Sequence, residues 1–195
     1  MAGKAGMAGF TLIELMVTIT LLSILIGLAV PSFRTWIGNA KVRTVADGLQ
    51  TGVRLAQSEA VRLNRQVVFF LTSNNACSTA IDSNANGANW ALRTVPMLAG
   101  EASEALRCGQ LADIAAGVTI TGPTALCFNS MGRQTANATP GVTGASCNLG
   151  LGPVSTYDIA TAQGDRPLRV TVALGGQLRM CDPARSLAAA SPDGC

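Results

Sequence analysis

The groups able to do chemistry in this 195-residue chain are few, and it contains no histidine. Without an imidazole, His-dependent triads, His-metal sites and the easiest general base near neutrality are excluded together. Glu101 and Glu104 stand one helical turn apart in GEASEALRC, a spacing that suits a short solvated helix better than an acid/base pair. Asp82-Ser83-Asn84-Ala85-Asn86-Gly87 fits the first half of a calcium loop, whose last position carries a bidentate glutamate. Arg93 occupies that position, and its positive charge opposes the ion. Nothing pairs a serine or cysteine with a base. The sequence therefore predicts no enzyme, no metal site and no cofactor.

Six cysteines remain: Cys77, Cys108, Cys127, Cys147, Cys181 and Cys195. None forms a C-x-x-C, so zinc-ribbon and thioredoxin-like readings are weak. An even number of scattered cysteines in an exported domain reads as disulfides formed in an oxidising compartment. Proximity in sequence favours Cys77–Cys108, Cys127–Cys147 and Cys181–Cys195. The alternative is that one or two of these pairs stay as thiols.

The last chemical feature is a carboxylate in an unexpected place. GFTLIELMVTITLLSILIGLAVPSF (Gly9 to Phe33) carries a single charge, Glu14, and no formal charge follows until Arg34. About 20 residues at about 1.5 Å each span a hydrocarbon core of roughly 30 Å. A charge there costs at least about 2.5 kcal/mol on insertion scales, so it calls for a partner; otherwise it snorkels to the headgroups. A cleaved secretory signal does not fit: only Lys4 precedes the core, and bulky Ser32-Phe33-Arg34-Thr35-Trp36 replaces the small-residue site that should follow it. The small residues, Ala8-Gly9, lie before the core. The segment reads as a retained membrane helix.

Gly9-Phe10-Thr11-Leu12-Ile13-Glu14-Leu15, with Pro31 further along, resembles the class III signal of type IV prepilins and type II secretion pseudopilins. The resemblance implies cleavage between Gly9 and Phe10 by a prepilin peptidase and methylation of the new Phe10 amine. It also supplies the partner of Glu14: the α-ammonium of Phe10 on a neighbouring subunit, so that two costly buried charges become a pair and set the register of the stack.

The elements that must position these groups follow from periodicity. Val45, Leu49, Val53, Ala56, Ala60 and Leu63 mark one face of a helix, with Arg43, Arg54, Arg62 and Arg65 off that stripe. Phe10 to about Asn64 thus reads as one long helix, with a kink or local unwinding expected at Pro31. Gly27, Gly38, Gly48 and Gly52 either mark close packing in a filament or merely lower helix stability. Beyond it, turn residues separate candidate strands at 66–72, 89–95, 117–121, 124–129, 154–160, 167–174 and 177–181. Gly175-Gly176 suits a two-residue hairpin turn. The loop 135–149 reads as long and mobile.

LAQSEAVRLNRQVVFF (55–70), LCFNSMGRQT (126–135) and GGQLRMC (175–181) resemble the GspH/FimT group of minor pilins and pseudopilins. This implies an α+β fold: a long kinked N-terminal helix packed on a small antiparallel β-sandwich head. The segments are a leader at 1–9, a transmembrane and assembly helix at 10–33, an amphipathic helix at 34–65 and a periplasmic β-rich head at 66–195. Its partners would be other pilins or pseudopilins through the N-terminal helix, the prepilin peptidase and the bacterial inner membrane.

Some FimT-like relatives bind DNA in natural transformation through a C-terminal GRxRxC motif. Here that stretch is Gly176-Gln177-Leu178-Arg179-Met180-Cys181, so one of the two arginines is glutamine. From Gln66 onward seven arginines face eight carboxylates, a poor balance for phosphate binding. A local patch of Arg133, Arg166, Arg169, Arg179 and Arg185 is the DNA-binding alternative, against scattered surface arginines. The reading favoured is a structural subunit with Gly9 and Phe10 for processing, Glu14 for assembly and Pro31 for helix geometry.

Overall fold

The computed structural model describes residues 10–78, 80–98, 100–149, 152 and 154–195. Lys4, Gly9 and the leader lie outside the described residues. Helix α1 (Leu12–Leu63) is followed by nine strands: β1 (Val67–Thr72), β2 (Asn89–Thr94), β3 (Ala105–Gly109), β4 (Val118–Thr121), β5 (Ala125–Phe128), β6 (Gln134–Thr135), β7 (Val154–Thr161), β8 (Leu168–Ala173) and β9 (Leu178–Cys181). They form two antiparallel sheets, ordered β3-β2-β1-β5-β6 and β4-β7-β8-β9. The helix ends at Asn64, which adopts φ 50° and ψ 39° and returns its N–H to Ala60 and Val61. Asparagine tolerates this left-handed cap better than most residues.

The second half of α1 and both sheets enclose one apolar core. Val42, Val45, Leu49, Val53 and Ala56 from the helix meet Phe69 and Leu126 of one sheet and Tyr157, Ile159 and Val170 of the other. Phe69 stands edge-on to Tyr157, ring centroids 6.3 Å apart, joining the two sheets. Polar stitching adds to this. The Gln134 amide donates to the Val172 carbonyl at 2.6 Å and accepts from the Ser155 hydroxyl at 2.9 Å.

β1 explains why VVFFLT is apolar without alternation: it is buried on both faces. Val68 and Phe70 face a second apolar cluster with Ile81, Ala91, Val142, Ala145 and Cys147. The segment read as a mobile loop, 135–149, is therefore a packed cover. Asn137 and Cys147 exchange backbone hydrogen bonds, and the buried rear face of the sheet holds the segment down.

Two further expectations are corrected. GEASEALRC forms no helix; its second half is β3, drawn onto the free edge of β2. Thr94 accepts from Glu104 N–H and donates its own N–H to the Glu104 carbonyl, pulling the segment in. The β8–β9 hairpin has a three-residue loop, Leu174-Gly175-Gly176. Gly176 N–H donates to Ala173, Ala173 N–H to Gln177, and Gly176 takes φ +92°; this is the pattern of a turn closed by a glycine bulge. Of the kink or local unwinding expected at Pro31, the unwinding is absent: the helix runs on through it.

Three of the four helix glycines pack against this chain's own head. A Cβ at Gly52 would lie 2.8 Å from the Trp90 ring, one at Gly48 2.8 Å from Leu111 and one at Gly38 2.9 Å from the Gly164 nitrogen. Only at Gly27, among these four, is the space open.

The structure joins Cys77 to Cys108, Cys127 to Cys147 and Cys181 to Cys195, with Cα separations of 5.7, 5.6 and 5.2 Å. Each ties a loop or the C-terminal tail to a strand: β3, β5 and β9 respectively.

Candidate functional site

The exposed N-terminal half of α1 carries the residues singled out for assembly. Thr11 caps the helix in extended conformation, and its hydroxyl accepts the Glu14 N–H at 3.3 Å. Thr11 and Glu14 hold the spacing of a capping box, a signal legible in TLIE that the sequence reading passed over. Glu14 thus lies in the first turn, where unpaired N–H groups and the helix dipole favour a negative charge by roughly 0.3–1 kcal/mol. The carboxylate itself has no ion-pair partner among the described residues and faces outward.

Around it the helix is apolar on every side. Phe10, Leu12, Ile13, Leu25 and Leu28 are all more than 60% exposed. A stretch of 18 residues in this helix has a mean hydropathy of 2.4, and none of it is buried in the chain's own fold. The few polar side chains here are satisfied locally. The hydroxyls of Thr18, Thr20 and Ser23 donate to the carbonyls of Leu15, Val17 and Ile19 at 2.7–2.8 Å. A helix that, Glu14 apart, satisfies its polar groups internally and exposes hydrocarbon is fit for lipid or for other such helices, and unfit for water. Pro31 lies near the end of this half, its carbonyl accepting from the Thr35 hydroxyl at 3.3 Å.

Burial begins just beyond, where Asn39 clamps helix to head. Its side chain donates to Asp165 Oδ1 at 2.7 Å and accepts the Asp165 and Arg166 N–H groups at 3.1 Å. Higher up, Gln57 donates to the Gly176 carbonyl at 2.6 Å, fixing the β8–β9 turn. Just past the helix, Arg65 makes an ion pair to Glu101 at 2.6 Å.

The five arginines of the DNA-binding alternative are differently employed. Arg169 pairs with Asp158 at 2.6 and 3.2 Å, which raises its already high pKa. Arg179 donates to the carbonyls of Pro192 and Gly194, and so closes the tail held by Cys181–Cys195. Arg185 reaches Asp182 and Asp193. Arg133 and Arg166 are exposed and make no ion pair among the described residues. Three of the five guanidinium groups are thus committed within the chain.

The remaining candidates turn out to be structural. The Asp82–Gly87 loop knits strands together: Asn84 N–H donates to Leu71, its side-chain oxygen accepts from Asn86 N–H, and Ser83 N–H donates to Thr143. No group of three histidine, cysteine, aspartate or glutamate side chains suited to a metal gathers among the described residues. The Glu101 carboxylate accepts the Met97 and Leu98 N–H groups. With the Arg65 guanidinium, these bonds hold its pKa below the usual carboxylate range.

Comparison with known proteins agrees with this division of the chain into an apolar N-terminal helix and a head. The prokaryotic N-terminal methylation motif matches residues 4–30. A fimbrial protein of Moraxella nonliquefaciens is 46% identical over 48 residues, 23% of this chain. The match spans only 31% of that relative's length. Among solved structures, the type IV minor pilin FimU of Pseudomonas aeruginosa superposes with a TM-score of 0.47 at 15% identity, covering 74% of this chain and 94% of that one. The minor pseudopilin EpsH from the Type 2 Secretion System of Vibrio cholerae gives 0.47 at 13% identity, covering 74% and 99%. The family described as type II transport protein GspH matches residues 45–186. Because that match takes in the packed half of α1 and nearly the whole β-rich head, the chain belongs to the GspH family.

Proposed function

We propose that this protein is a structural, non-catalytic minor pilin or pseudopilin that assembles into, or primes, a type IV pilus or type II secretion pseudopilus. In this reading residues 10–33 anchor it in the bacterial inner membrane, the head stands in the periplasm, and the same helix later packs against other pilins. The observation that carries it is a GspH-family head on a half-helix that exposes hydrocarbon all round and bears one carboxylate without an ion-pair partner among the described residues.

Prepilin peptidase would cut between Gly9 and Phe10. The new Phe10 ammonium, methylated, would then meet Glu14 of an adjacent subunit. Neither charge is comfortable alone in an apolar bundle, and removing one partner leaves the other unpaired, at a cost of about 3–5 kcal/mol for a buried pair. DNA capture is not favoured, since Arg169, Arg179 and Arg185 are engaged within the chain and Gln177 stands where the binding motif has arginine.

Mass spectrometry of the membrane-extracted protein should find a mature N-terminus at Phe10, and Gly9→Ala should block its formation. Glu14→Ala should be processed and inserted normally yet be missing from purified filaments. A chain still starting at Met1, or one cut near Ser32, overturns the processing assignment; normal incorporation of Glu14→Ala overturns the role of the carboxylate.

A further inference from the structure

At the point where the apolar span meets the head, a groove of about 460 Å³ opens between α1 and the β8–β9 pair. Trp36, Asn39 and Arg43 form its helical wall, Arg166 its rim, and Leu168 and Met180 part of its apolar lining. We propose that this neck groove binds the headgroup phosphate of an anionic phospholipid, a role that rests on the membrane anchoring inferred above.

The position favours lipid. Arg34 is the first charge after the span. At about 1.5 Å per residue, Trp36 lies about 3 Å and Asn39 about 8 Å beyond it along the axis. The polar layer of a bilayer is roughly 5–8 Å deep on each side. Phe33 and Trp36 stack with centroids 5.8 Å apart and are 60% and 65% exposed, an aromatic pair of the kind that sits at headgroup level. Arg43 is two turns above Trp36 on the same face. Helical side chains lean toward the N-terminus, which brings its guanidinium down toward the same layer. Arg166 is held at the level of Asn39, whose side-chain oxygen takes its backbone N–H at 3.1 Å, and its guanidinium makes no ion pair among the described residues.

The charges around the groove leave these cations available. Asp182 and Asp193 also line it, but Arg185 holds both, at 3.6 and 3.1 Å. Asp165 keeps its charge but accepts from the Asn39 amide at 2.7 Å and makes no ion pair with Arg166. The carboxylate paired with Arg43 is Asp47, at 3.9 Å with both side chains more than half exposed, a contact too loose to compete strongly with a phosphate. A groove with an apolar lining, an indole and two arginines suits a group that is acyl chain below and phosphate above.

The test uses the full chain. It is first floated with vesicles of phosphatidylcholine alone or mixed with phosphatidylglycerol. It is then extracted in mild detergent and titrated with each lipid, with retained lipid and oligomeric state read by native mass spectrometry. Severalfold preferential retention of phosphatidylglycerol is expected. Arg43→Gln with Arg166→Gln should reduce it to the phosphatidylcholine level, while Arg133→Gln, next in the chain to Gly132, which faces Val61 near the far end of the helix, should leave it intact. Flotation with equal retention of the two lipids, or a preference that survives the double change, overturns the proposal alone. Failure to float at all overturns the anchoring reading with it. A dimer abolished by the double change would assign the groove to a second copy of this chain and likewise overturn the lipid assignment.

Discussion

Among the described residues Tyr157 is the largest fully buried side chain of the core, and its hydroxyl has no hydrogen-bond partner there. Burial pushes the phenol pKa far up, so the group stays neutral and simply forgoes its bonds to water. An unmet buried donor costs roughly 1–3 kcal/mol. Tyr157→Phe keeps the edge contact with Phe69 and removes the orphan, so the denaturation midpoint should rise by an amount worth about 1 kcal/mol. A lower midpoint would show that the hydroxyl has a partner in solution. Glu101 offers the opposite case, a polar residue with every bond made. Its folded pKa lies below the unfolded value, so its stabilisation is complete above the ordinary carboxylate pKa and is lost as the pH falls through the folded one. Glu101→Gln should lower the melting temperature near neutrality and shrink the difference from the parent in acid. A gap that stays constant with pH would remove the carboxylate charge from the explanation.

Among the elements, α1 is shaped as much by what it must touch as by its own propensity. Replacing glycine by alanine in an exposed helix gains about 1 kcal/mol. Gly52, however, lies against Trp90 and Phe69, where a Cβ would stand 2.8–2.9 Å from ring carbons. Overpacking of that kind costs about 1–3 kcal/mol. Gly52→Ala is therefore expected to destabilise the head, and Gly27→Ala, with open space around it, to leave head stability unchanged. Thermal unfolding followed through the Trp90 signal in a Trp36→Phe background checks both, and a stabilised Gly52→Ala would mean that helix and sheet can part at little cost. β3 shows a similar override. Ala, Glu and Leu in EASEAL favour helix, yet the open edge of β2 and the Cys77–Cys108 link draw its last two residues and those after them into a strand. The neighbour decides.

For the molecule as a whole, the disulfides hold the outlying segments. Cys127–Cys147 fastens the cover segment over Val68 and Phe70, and Cys181–Cys195 fastens the tail that Arg179 also holds. A bridge of this kind contributes roughly 2–4 kcal/mol, mainly by restricting the unfolded chain. Cys127→Ser with Cys147→Ser should lose about that much and expose 136–149 to limited proteolysis, leaving the other loops protected. Thiol counting on the denatured, unreduced protein should find few free thiols; six would contradict the bridges.

The chain's chemistry of type and spacing was legible without coordinates. The 3.6-residue stripe from Val45 to Leu63, the charge-free span after Glu14 and seven strand segments depend on local period and length, which sequence carries directly. The closeness of paired cysteines in the chain was equally readable. Tertiary structure alone decided what meets what. It assigned Gly38, Gly48 and Gly52 to the protein's own head, turned 135–149 into a cover, made β3 a strand, lengthened the hairpin loop to place Gly176 at positive φ, and committed Arg169, Arg179 and Arg185 to internal partners. Those outcomes depend on which sheet face or edge lies open beside a segment, and that is a property of residues far away in the chain, which no local pattern records.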